Sequence, residues 1–283
     1  MTNDAPAANQ AQIDYWNTLA GQVWARFQAQ LDRQLEPLGR AALAALAASP
    51  GERILDIGCG CGVTTLALAE QVSPAGSVLG ADISAPMLEI ARHRPSLTPG
   101  VAVTFRQADV QSDDLGRAAF DAAFSRFGVM FFSDPPAAFA NIRAALRPGG
   151  RLAFVCWRPL ADNPWMGAPL AAARPLLPPM PPPDPLAPGP FAFADPDRVR
   201  AILSEAGFGS ISIEPFDAPI GGGDLEATVD LTLHVGPLSA ALREQPHLRE
   251  PVSEAVRETL RPFSTPSGVM MPAAVWIVRA TNL

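Results

Sequence analysis

The sequence contains no lysine, so all 21 of its basic residues are arginine. We interpret the absence of lysine, together with the many alanines and prolines, as a consequence of the base composition of the genome. The net charge is −7 and the arginines form no cluster, whereas a surface that binds nucleic acid needs clustered basic residues for its phosphate contacts. The composition therefore argues against nucleic acid as a partner.

Cysteine is scarce as well, and the three residues are Cys59, Cys61 and Cys156. Three cysteines are too few, and odd in number, for a disulfide framework. We therefore expect the protein to work in the reducing cytoplasm. Cys59 and Cys61 could be two metal ligands, but no other cysteine or histidine lies near enough in sequence to complete a tetrahedral set. We therefore predict no metal site.

Long hydrophobic runs are missing too. The first residues, Met1 to Asp4, lack the basic start and apolar run of a signal peptide, and no apolar stretch reaches the roughly 18 residues of a membrane span. The chain is nevertheless 48% hydrophobic and only 17% charged over its 283 residues. This composition fits a soluble enzyme with one main domain and sizeable additions.

One ten-residue stretch, residues 53–62 (RILDIGCGCG), organises the chain. Its apolar residues from Ile54 to Ile57 predict a short buried strand. The glycines that follow allow tight turns and the close approach of a ligand to the backbone. A helix is predicted to begin at Val63, and its free N–H groups would face that ligand. The stretch therefore predicts a pocket for a nucleotide-like ligand. Its glycines are Gly58, Gly60 and Gly62.

The spacing of the glycines distinguishes between two ligands. A dinucleotide-binding loop has the pattern G-x-G-x-x-G, and Val63 stands where its third glycine is required. Asp56, two residues before the first glycine, has no place in that pattern. The stretch instead resembles the first motif of class I S-adenosylmethionine-dependent methyltransferases, an acidic residue followed by G-x-G-x-G. The resemblance implies that the loop, including Cys59, packs against the methionine half of the cofactor, and that Asp56 orders the loop or binds the amino group.

A second acidic residue ends the next predicted strand, residues 77–82. Asp82 falls 20 residues after the last glycine of the loop, and one carboxylate there can accept hydrogen bonds from both ribose hydroxyls. The alternative role for Asp82 is to cap the next helix, but Ser84 offers a better cap and leaves Asp82 free. Ile83 and Met87 supply apolar surface for an adenine face. The motif D-I-S-x-x-M-L (residues 82–88) resembles the one that many ubiquinone/menaquinone-type methyltransferases have at this place.

A third strand is predicted over residues 101–106, and Ala108, Asp109 and Val110 follow it. In the family, an acidic residue at this place accepts a hydrogen bond from the adenine amino group, and Asp109 is the matching residue. The alternative for Asp109 is an ordinary turn residue.

A fourth strand is predicted over residues 120–125, and an apolar run follows it. We expect this run to line the cofactor sulfur and the acceptor pocket. Phe131 is a candidate substrate contact. The alternative for Phe131 and Phe132 is packing in the hydrophobic core. The cofactor contacts expected here come first after the strand, and they are Ser125, Arg126 and Phe127.

A helix from Asp134 to about Leu146 and a fifth strand over residues 152–156 should complete the cofactor-binding core, residues 49–157. The wording L-R-P-G-G-R-L between them is typical of the family. Residues 1–48 are predicted to form an arm of two or three helices, broken at Pro37, with frayed first residues. The aromatic residues of the arm either pack in the core or lie over the cofactor as a lid, with Tyr15 or Trp24 near the pocket.

The composition changes after the fifth strand, because residues 158–194 are rich in proline and predict an irregular cap or a mobile segment. The candidate substrate contacts here are Trp157, Arg158, Asn163 and Trp165, although the same loop could dock a partner. Residues 195–283 are expected to complete the core with a helix over 195–206, a sixth strand over 211–220, two inserted helices in 224–262 and a seventh strand over 273–281.

These elements predict an α/β fold, a Rossmann-like, seven-stranded and mostly parallel sheet with helices on both faces. By family resemblance, the last strand inserts antiparallel beside the fifth. The resemblance implies S-adenosylmethionine as cofactor, S-adenosylhomocysteine as product and a small, partly apolar molecule as acceptor. Two alternatives stay open: a nicotinamide (NAD(P))-dependent oxidoreductase, and a catalytically silent cofactor-binding partner protein. A homodimer is compatible with the sequence.

Methyl transfer from a sulfonium is an in-line displacement, so much of the catalysis can come from holding the two reactants collinear and dry. A dedicated base is then not obligatory. His234 is the one histidine to test as a base, and Arg126 or Arg158 could orient an acidic or carbonyl-bearing acceptor.

Overall fold

The computed structural model describes residues 9–95, 98–179 and 184–283. The expected fraying of the first residues and the central prolines of the Pro-rich segment, Pro181 to Pro183, lie outside the described residues. None of the described helices combines the length and the apolar character needed to cross a membrane.

Three helices come first in the described chain, and strands and helices then alternate over residues 53–107. The strands are β1 (Arg53–Ile57), β2 (Ser77–Asp82), β3 (Ala102–Gln107), β4 (Phe120–Arg126), β5 (Leu146–Trp157), β6 (Phe208–Gly221), β7 (Ser264–Thr265) and β8 (Gly268–Asn282). The helices are α1 (Gln10–Asn17), α2 (Leu19–Arg26), α3 (Gln28–Leu46), α4 (Val63–Val72), α5 (Ala85–His93), α6 (Pro135–Ala145), α7 (Pro164–Ala173), α8 (Pro196–Glu205), α9 (Leu225–His234), α10 (Pro237–Glu244) and α11 (Arg249–Leu260).

The sheet has the strand order β3-β2-β1-β4-β5-β8-β6. Strands β1 to β5 pair in parallel, whereas β8 is antiparallel to both β5 and β6. The predicted fold class is therefore confirmed, including the antiparallel last strand beside the fifth. The two-residue strand β7 is an addition that pairs only with β8.

The central strands are buried on both faces, which is why they appear in the sequence as nearly continuous apolar runs. Ile54 and Leu55 of β1, Phe124 of β4 and Phe154 of β5 are all fully buried. Because parallel strands end at one common edge of the sheet, the loops after β1, β2, β3 and β4 are brought together there.

Three local predictions are wrong. Pro37 does not break the arm, because it lies inside the continuous helix α3. The buried face of α3, with Leu35 and Leu38, packs against the sheet, and this packing outweighs the one backbone hydrogen bond that a proline removes. The Pro-rich segment is not irregular throughout, since α7 forms with Pro164 in its first turn, where proline is favourable.

The inserted segment also differs from the prediction, because residues 224–262 hold three helices, α9, α10 and α11. Gly236, with a φ of 92°, separates the first two helices, and Pro237 begins the second. A glycine in the left-handed region followed by a proline ends one helix and starts the next.

Candidate functional site

The loop after β1 depends on its glycines. Gly58, Gly60 and Gly62 have φ angles of 62°, 55° and 85°. Residues with a Cβ rarely adopt such angles. A Cβ on Gly58 would also lie 2.8 Å from the Cα of Gly128, in the loop after β4. The two loops therefore touch through their backbones, and α4 begins directly behind them with its N-terminus at the loop.

Asp56 lies in β1, fully buried beneath this loop. Its Oδ2 accepts hydrogen bonds from the hydroxyls of Thr64 (2.7 Å) and Thr65 (2.6 Å) in the first turn of α4. Its Oδ1 is buried and has no hydrogen-bond partner among the described residues. Burial raises the pKa of Asp56 to about 6. The carboxylate thus ties the strand to the helix and keeps one oxygen available.

Asp82 ends the neighbouring strand β2 and is also buried. Its Oδ2 accepts a hydrogen bond from the Gly60 amide (2.7 Å), and its Oδ1 accepts one from the Ser84 amide (2.8 Å). Burial raises the pKa of Asp82 to about 6. Each oxygen of a carboxylate has two lone pairs, so Asp82 can hold the loop and still accept hydrogen bonds from a ligand.

The expectation that Ser84 caps α5 with its side chain is wrong. The Ser84 hydroxyl donates instead to the backbone oxygen of Trp16 (2.8 Å). Asp82 accepts the hydrogen bond from the Ser84 amide. It therefore has a structural contact in this turn, whereas the sequence suggested that it would be free for the ligand.

Asp109 follows β3 and completes the row of acids. Its Oδ1 accepts from the Asn9 side-chain amide (3.2 Å) and the Gln111 backbone amide (3.0 Å), and its Oδ2 accepts from the Ser112 hydroxyl (3.1 Å). The flanking residues Ala108 and Val110 are buried. Asp109 therefore orders its own turn, and it also meets the arm.

The three acids belong to adjacent parallel strands, β1, β2 and β3. The Gly60 amide joins Asp82 to the glycine loop, and the Ala108 amide donates to the Asp82 backbone oxygen (2.9 Å), which joins the second and third strand ends. The fold thus brings Asp56, Asp82 and Asp109 to one edge of the sheet around a glycine loop.

The helical arm covers this edge. The side chain of Asn17 donates to the backbone oxygen of Ile83 (2.8 Å) and accepts from the Ala85 amide (2.9 Å). Trp16 packs with Met87 and Ile83 in one apolar cluster. The arm therefore lies on the turn that was predicted to face adenine.

Trp16, and neither Tyr15 nor Trp24, is the aromatic residue of the arm at the centre of this contact. The Trp16 ring lies edge-on to Phe131 (5.0 Å between ring centroids) and to Trp24 (5.9 Å), whereas Tyr15 is 43% exposed. Sequence reasoning also missed Asn9 and Asn17. Their position just before and at the end of a short helix in the arm gave no signal of contacts to distant strand ends.

Cys59 and Cys61 are held as neutral thiols. Burial raises the pKa of Cys59 well above its ordinary value and that of Cys61 to about 12. Within residues 9–95, 98–179 and 184–283, no cluster of three or more His, Cys, Asp or Glu residues could hold a metal ion. The two cysteines fill space in the loop.

The loop after β4 braces the glycine loop. The Ser125 hydroxyl donates to the Ile57 backbone oxygen (2.8 Å) and accepts from the Gly128 amide (3.2 Å). The Arg126 side chain is 14% exposed, and its guanidinium pairs with Asp32 of α3 (3.4 Å). Burial lowers the pKa of Arg126 below its ordinary value. Arg126 therefore fixes α3 over the strand ends, and its guanidinium is not a free anchor for an acceptor.

A stack of aromatic rings leads away from this loop. Phe127 stacks on Trp157 with ring centroids 4.2 Å apart and planes inclined by 10°. The Trp157 ring is in turn 5.0 Å from the ring of Trp165. Phe127 has a φ of 64°, an uncommon conformation for a residue with a side chain, so the backbone turns sharply here to present the ring.

Two of the predicted substrate contacts have partners within the protein. Asn163 is fully buried, and its side-chain amide is saturated by the backbone, including both the oxygen (3.0 Å) and the amide (2.9 Å) of Ala274. Arg158 pairs with Asp217 (2.8 Å) on β6, away from the glycine loop. These contacts join the cap to β8 and β6, and contact of either residue with a substrate stays a prediction.

The candidate base His234 has partners of its own. Its ring nitrogens are hydrogen-bonded to Asp230 and Arg249, and its ring lies tilted against that of Phe27, 5.5 Å between centroids. None of these three residues belongs to the site. His234 thus packs α9 against the arm, and the prediction that it could act as a base is not supported by its position.

Residues 54–150 match the family described as "Methyltransferase domain". This match and the strand order identify the core of the chain as a class I S-adenosylmethionine-dependent methyltransferase domain. Within that family, the core is similar to the ubiquinone/menaquinone branch. The demethylmenaquinone methyltransferase of Symbiobacterium thermophilum is 35% identical over 108 residues, which cover 38% of this chain and 42% of that protein.

Another relative, the nocamycin O-methyltransferase of Saccharothrix syringae, is 29% identical over 175 residues, 62% of this chain and 60% of that protein. The chain thus spans about half the length of the curated relatives it matches, from 31% to 62%.

Two solved structures share the fold. The YcgJ protein from Bacillus subtilis superimposes with a TM-score of 0.55 at 18% identity, over 87% of this chain and 98% of that one. The phosphoethanolamine N-methyltransferase 2 of Haemonchus contortus, solved in complex with S-adenosyl-L-methionine, gives a TM-score of 0.56 at 15% identity, over 98% of this chain and 60% of that one.

Proposed function

We propose that the protein transfers a methyl group from S-adenosylmethionine to a small, partly apolar molecule. The observation that carries this proposal is the row of three buried acids at the ends of β1, β2 and β3 around the glycine loop. A sulfonium nucleoside offers an ammonium group, two ribose hydroxyls and an adenine amino group, which are all hydrogen-bond donors. Three carboxylates at successive strand ends are acceptors that match these donors.

The residues fit this cofactor. The buried Oδ1 of Asp56 lacks a partner and can accept a hydrogen bond from the ammonium group. Asp82 retains lone pairs for the ribose hydroxyls. Trp16, Ile83 and Met87 form apolar surface beside them, which suits an adenine face. Asn9 donates to the Oδ1 of Asp109, and the Oδ2, which accepts only from Ser112 among the described residues, retains a lone pair for the adenine amino group.

Bound S-adenosylmethionine would supply an electrophilic methyl group on sulfur. The chain's own residues position the reactants and exclude water. Phe127, Phe131 and Trp157 give an apolar wall beside the glycine loop, and Ser125 holds the two loops together. No histidine among the described residues contacts the three acids. Proximity and in-line orientation are therefore the proposed source of catalysis.

The proposal extends to the organisation of the chain. Residues 1–48 act as the arm and lid, residues 49–157 bind the cofactor, residues 158–194 form a cap, and residues 195–283 close the sheet and add helices to the acceptor side. We further propose that the enzyme works in the cytoplasm on a free small molecule rather than on nucleic acid.

Calorimetry with S-adenosylmethionine, S-adenosylhomocysteine and reduced nicotinamide dinucleotide tests the cofactor. We expect binding of the first two only, whereas binding of the nicotinamide alone would show the oxidoreductase instead. Incubation with methyl-labelled cofactor and a metabolite extract then tests catalysis. A labelled product that requires the protein supports the proposal, and cofactor binding without any such product would identify a catalytically silent partner.

A further inference from the structure

The first helix of the arm begins at an asparagine whose side chain does not cap it. Asn9 is the N-cap residue of α1, and an asparagine there usually accepts a hydrogen bond from a backbone amide of the first turn. Its side chain makes no such bond. Asn9 is only 3% exposed, and its Nδ2 donates instead to the Oδ1 of Asp109 (3.2 Å). The side-chain amide is therefore held against the strand end where the adenine amino group is expected.

The orientation of this amide leaves its oxygen without a donor. Because a carboxylate accepts hydrogen bonds, the NH₂ group of Asn9 is the end of the amide that faces Asp109. The Oδ1 of Asn9 is buried and has no hydrogen-bond partner among the described residues. A buried acceptor without a donor is unfavourable, so this position favours a ligand that brings an N–H group.

Three buried side-chain oxygens lack a donor in the part of the chain that the structure describes. They are the Oδ1 of Asp56, the Oδ1 of Asn9 and the Oε1 of Gln12. Gln12 lies one turn beyond Asn9, on the same face of α1, and Trp16 continues that face onto Ile83. Native proteins pair nearly all their buried polar atoms. The exceptions here all lie at the edge of the sheet that carries the glycine loop, which indicates a ligand rich in hydrogen-bond donors.

We propose that the Oδ1 of Asn9 accepts a hydrogen bond from the amino group of adenine, so that the arm itself selects a cofactor that carries this base. This inference rests on the proposed methyltransferase function. The amino group has two hydrogens. The Oδ2 of Asp109 accepts one, since only Ser112 donates to it among the described residues, and Asn9 accepts the other. Asp109 belongs to the sheet and Asn9 to the arm, so the base joins the two and holds the arm in place.

Two ligands that differ only in the amino group test the proposal by calorimetry. They are S-adenosylhomocysteine and its analogue with hydrogen in place of the amino group on the purine. Asn9→Ala should weaken the binding of S-adenosylhomocysteine by about 2- to 12-fold more than that of the analogue, the range for one net hydrogen bond. A residue that only holds the arm would affect both ligands alike. Equal losses, or no loss for S-adenosylhomocysteine, would therefore overturn the proposal.

Gln10→Ala is the matched control in the same helix. The Gln10 side chain bonds to Asp14 (2.8 Å) in an exposed pair, so its removal should leave the difference between the two ligands as it is in the wild type. A change in that difference as large as the one in Asn9→Ala would show that any disturbance of α1 produces it, and would contradict a specific contact.

Hydrogen exchange in the wild type gives a test that needs no variant. With each ligand at saturation, the backbone amides of α1 should exchange about 2- to 12-fold more slowly with S-adenosylhomocysteine than with the analogue, because one more hydrogen bond holds the arm. The same protection with both ligands would show that the amino group does not reach the arm.

The wild-type titration keeps the two proposals apart. Binding of S-adenosylhomocysteine with equal losses for both ligands in Asn9→Ala overturns the role of Asn9 alone. A wild-type protein that binds neither S-adenosylmethionine nor S-adenosylhomocysteine overturns the methyltransferase function, and with it the adenine contact of the arm.

Discussion

Replacing Asp82 with asparagine should weaken S-adenosylmethionine binding strongly and change the stability of the fold little. Asp82 accepts one hydrogen bond from the Gly60 amide and one from the Ser84 amide. Asparagine has nearly the same shape, but it keeps only one acceptor oxygen and presents an NH₂ group in place of the other. One backbone amide therefore loses its partner, and the ribose hydroxyls lose a charged acceptor.

The effect on binding follows from the strength of hydrogen bonds to charged groups. Each contributes about 1.5–3 kcal/mol, so loss of one such interaction should weaken affinity by roughly 10- to 150-fold. The expected change is thus well above the error of a titration.

The effect on stability is the balance of two opposing terms. Leaving one buried amide unpaired costs about 1–3 kcal/mol. Against this, burial raises the pKa of Asp82 from 3.8 to about 6, and a shift of roughly two units corresponds to about 3 kcal/mol that favours the protonated form in the folded state. A raised carboxyl pKa means that this stability is present at low pH and is lost as the pH rises from about 4 through 6. Asparagine does not ionise, so the variant escapes that loss at neutral pH.

The matched control is Asp121→Asn at the opposite end of the sheet. Burial tends to raise the pKa of Asp121, but hydrogen bonds from the Arg53 amide and the Arg147 side chain outweigh it, so the pKa lies below its ordinary value. This carboxylate stabilises the fold above the unfolded-state pKa, and the contribution is lost as the pH falls. The control should therefore lose stability in urea at pH 7.5 and keep its cofactor affinity. Wild-type affinity in Asp82→Asn would refute the assignment of Asp82 to the ribose.

Three further results are expected. Cofactor affinity should fall by about tenfold per pH unit below 6 for each carboxyl that must release its proton, because burial raises the pKa of both Asp56 and Asp82 to about 6; a flat calorimetric profile between pH 5 and about 8 would contradict this. Gly58→Ala should cost more unfolding free energy in urea than the roughly 1–3 kcal/mol of left-handed strain alone, because its Cβ would lie 2.8 Å from another backbone atom, whereas Gly51→Ala, with a φ of 86° and no atom within 4 Å, should cost the strain only; equal costs would disprove the close contact of the two loops. Asn17→Ala removes two hydrogen bonds that hold the arm on the β2–α5 turn, of about 0.5–1.5 kcal/mol each, so stopped-flow measurements should show faster cofactor release; an unchanged rate would show that the arm is not a lid.

The part of the site that could be predicted is the part that depends on local sequence. Asp56 and Asp82 were recognised because each stands at a fixed distance from a buried apolar run and a glycine loop. A parallel sheet then brings such strand ends together whatever the rest of the chain does. The predicted sheet order at the β5–β8 contact came from family resemblance, and the register between β5 and β8 confirms it.

The contacts of the arm could not be predicted in the same way. Asn9 meets Asp109 across 100 residues of sequence, and Asn17 meets the Ile83 oxygen across 66. An asparagine near a helix end is commonly a cap or a solvated residue, so nothing in its sequence neighbourhood indicates a distant partner. The contacts of Asn163 and Arg158 were missed for the converse reason. Their position after a strand end suggested a ligand contact, but β8 inserts beside β5 and uses their polar groups.

The arm and the buried acids together imply that cofactor binding and closure are coupled. In the closed arrangement Asp56 and Asp82 are shielded from water and their pKa values are raised, so the ionised site is unfavourable until a cation and hydrogen-bond donors reach it. A ligand that supplies both lowers those pKa values and makes the closed state more stable. The arm meets Asp109 and the turn that follows Asp82, so by keeping water away it would strengthen the interaction of the site with the ligand, because the same charge pair is worth more away from water. Truncation of the arm should consequently weaken cofactor binding at pH 7 while moving the pKa of Asp82 towards its ordinary value, and NMR titration of the carboxyl carbon would detect that shift.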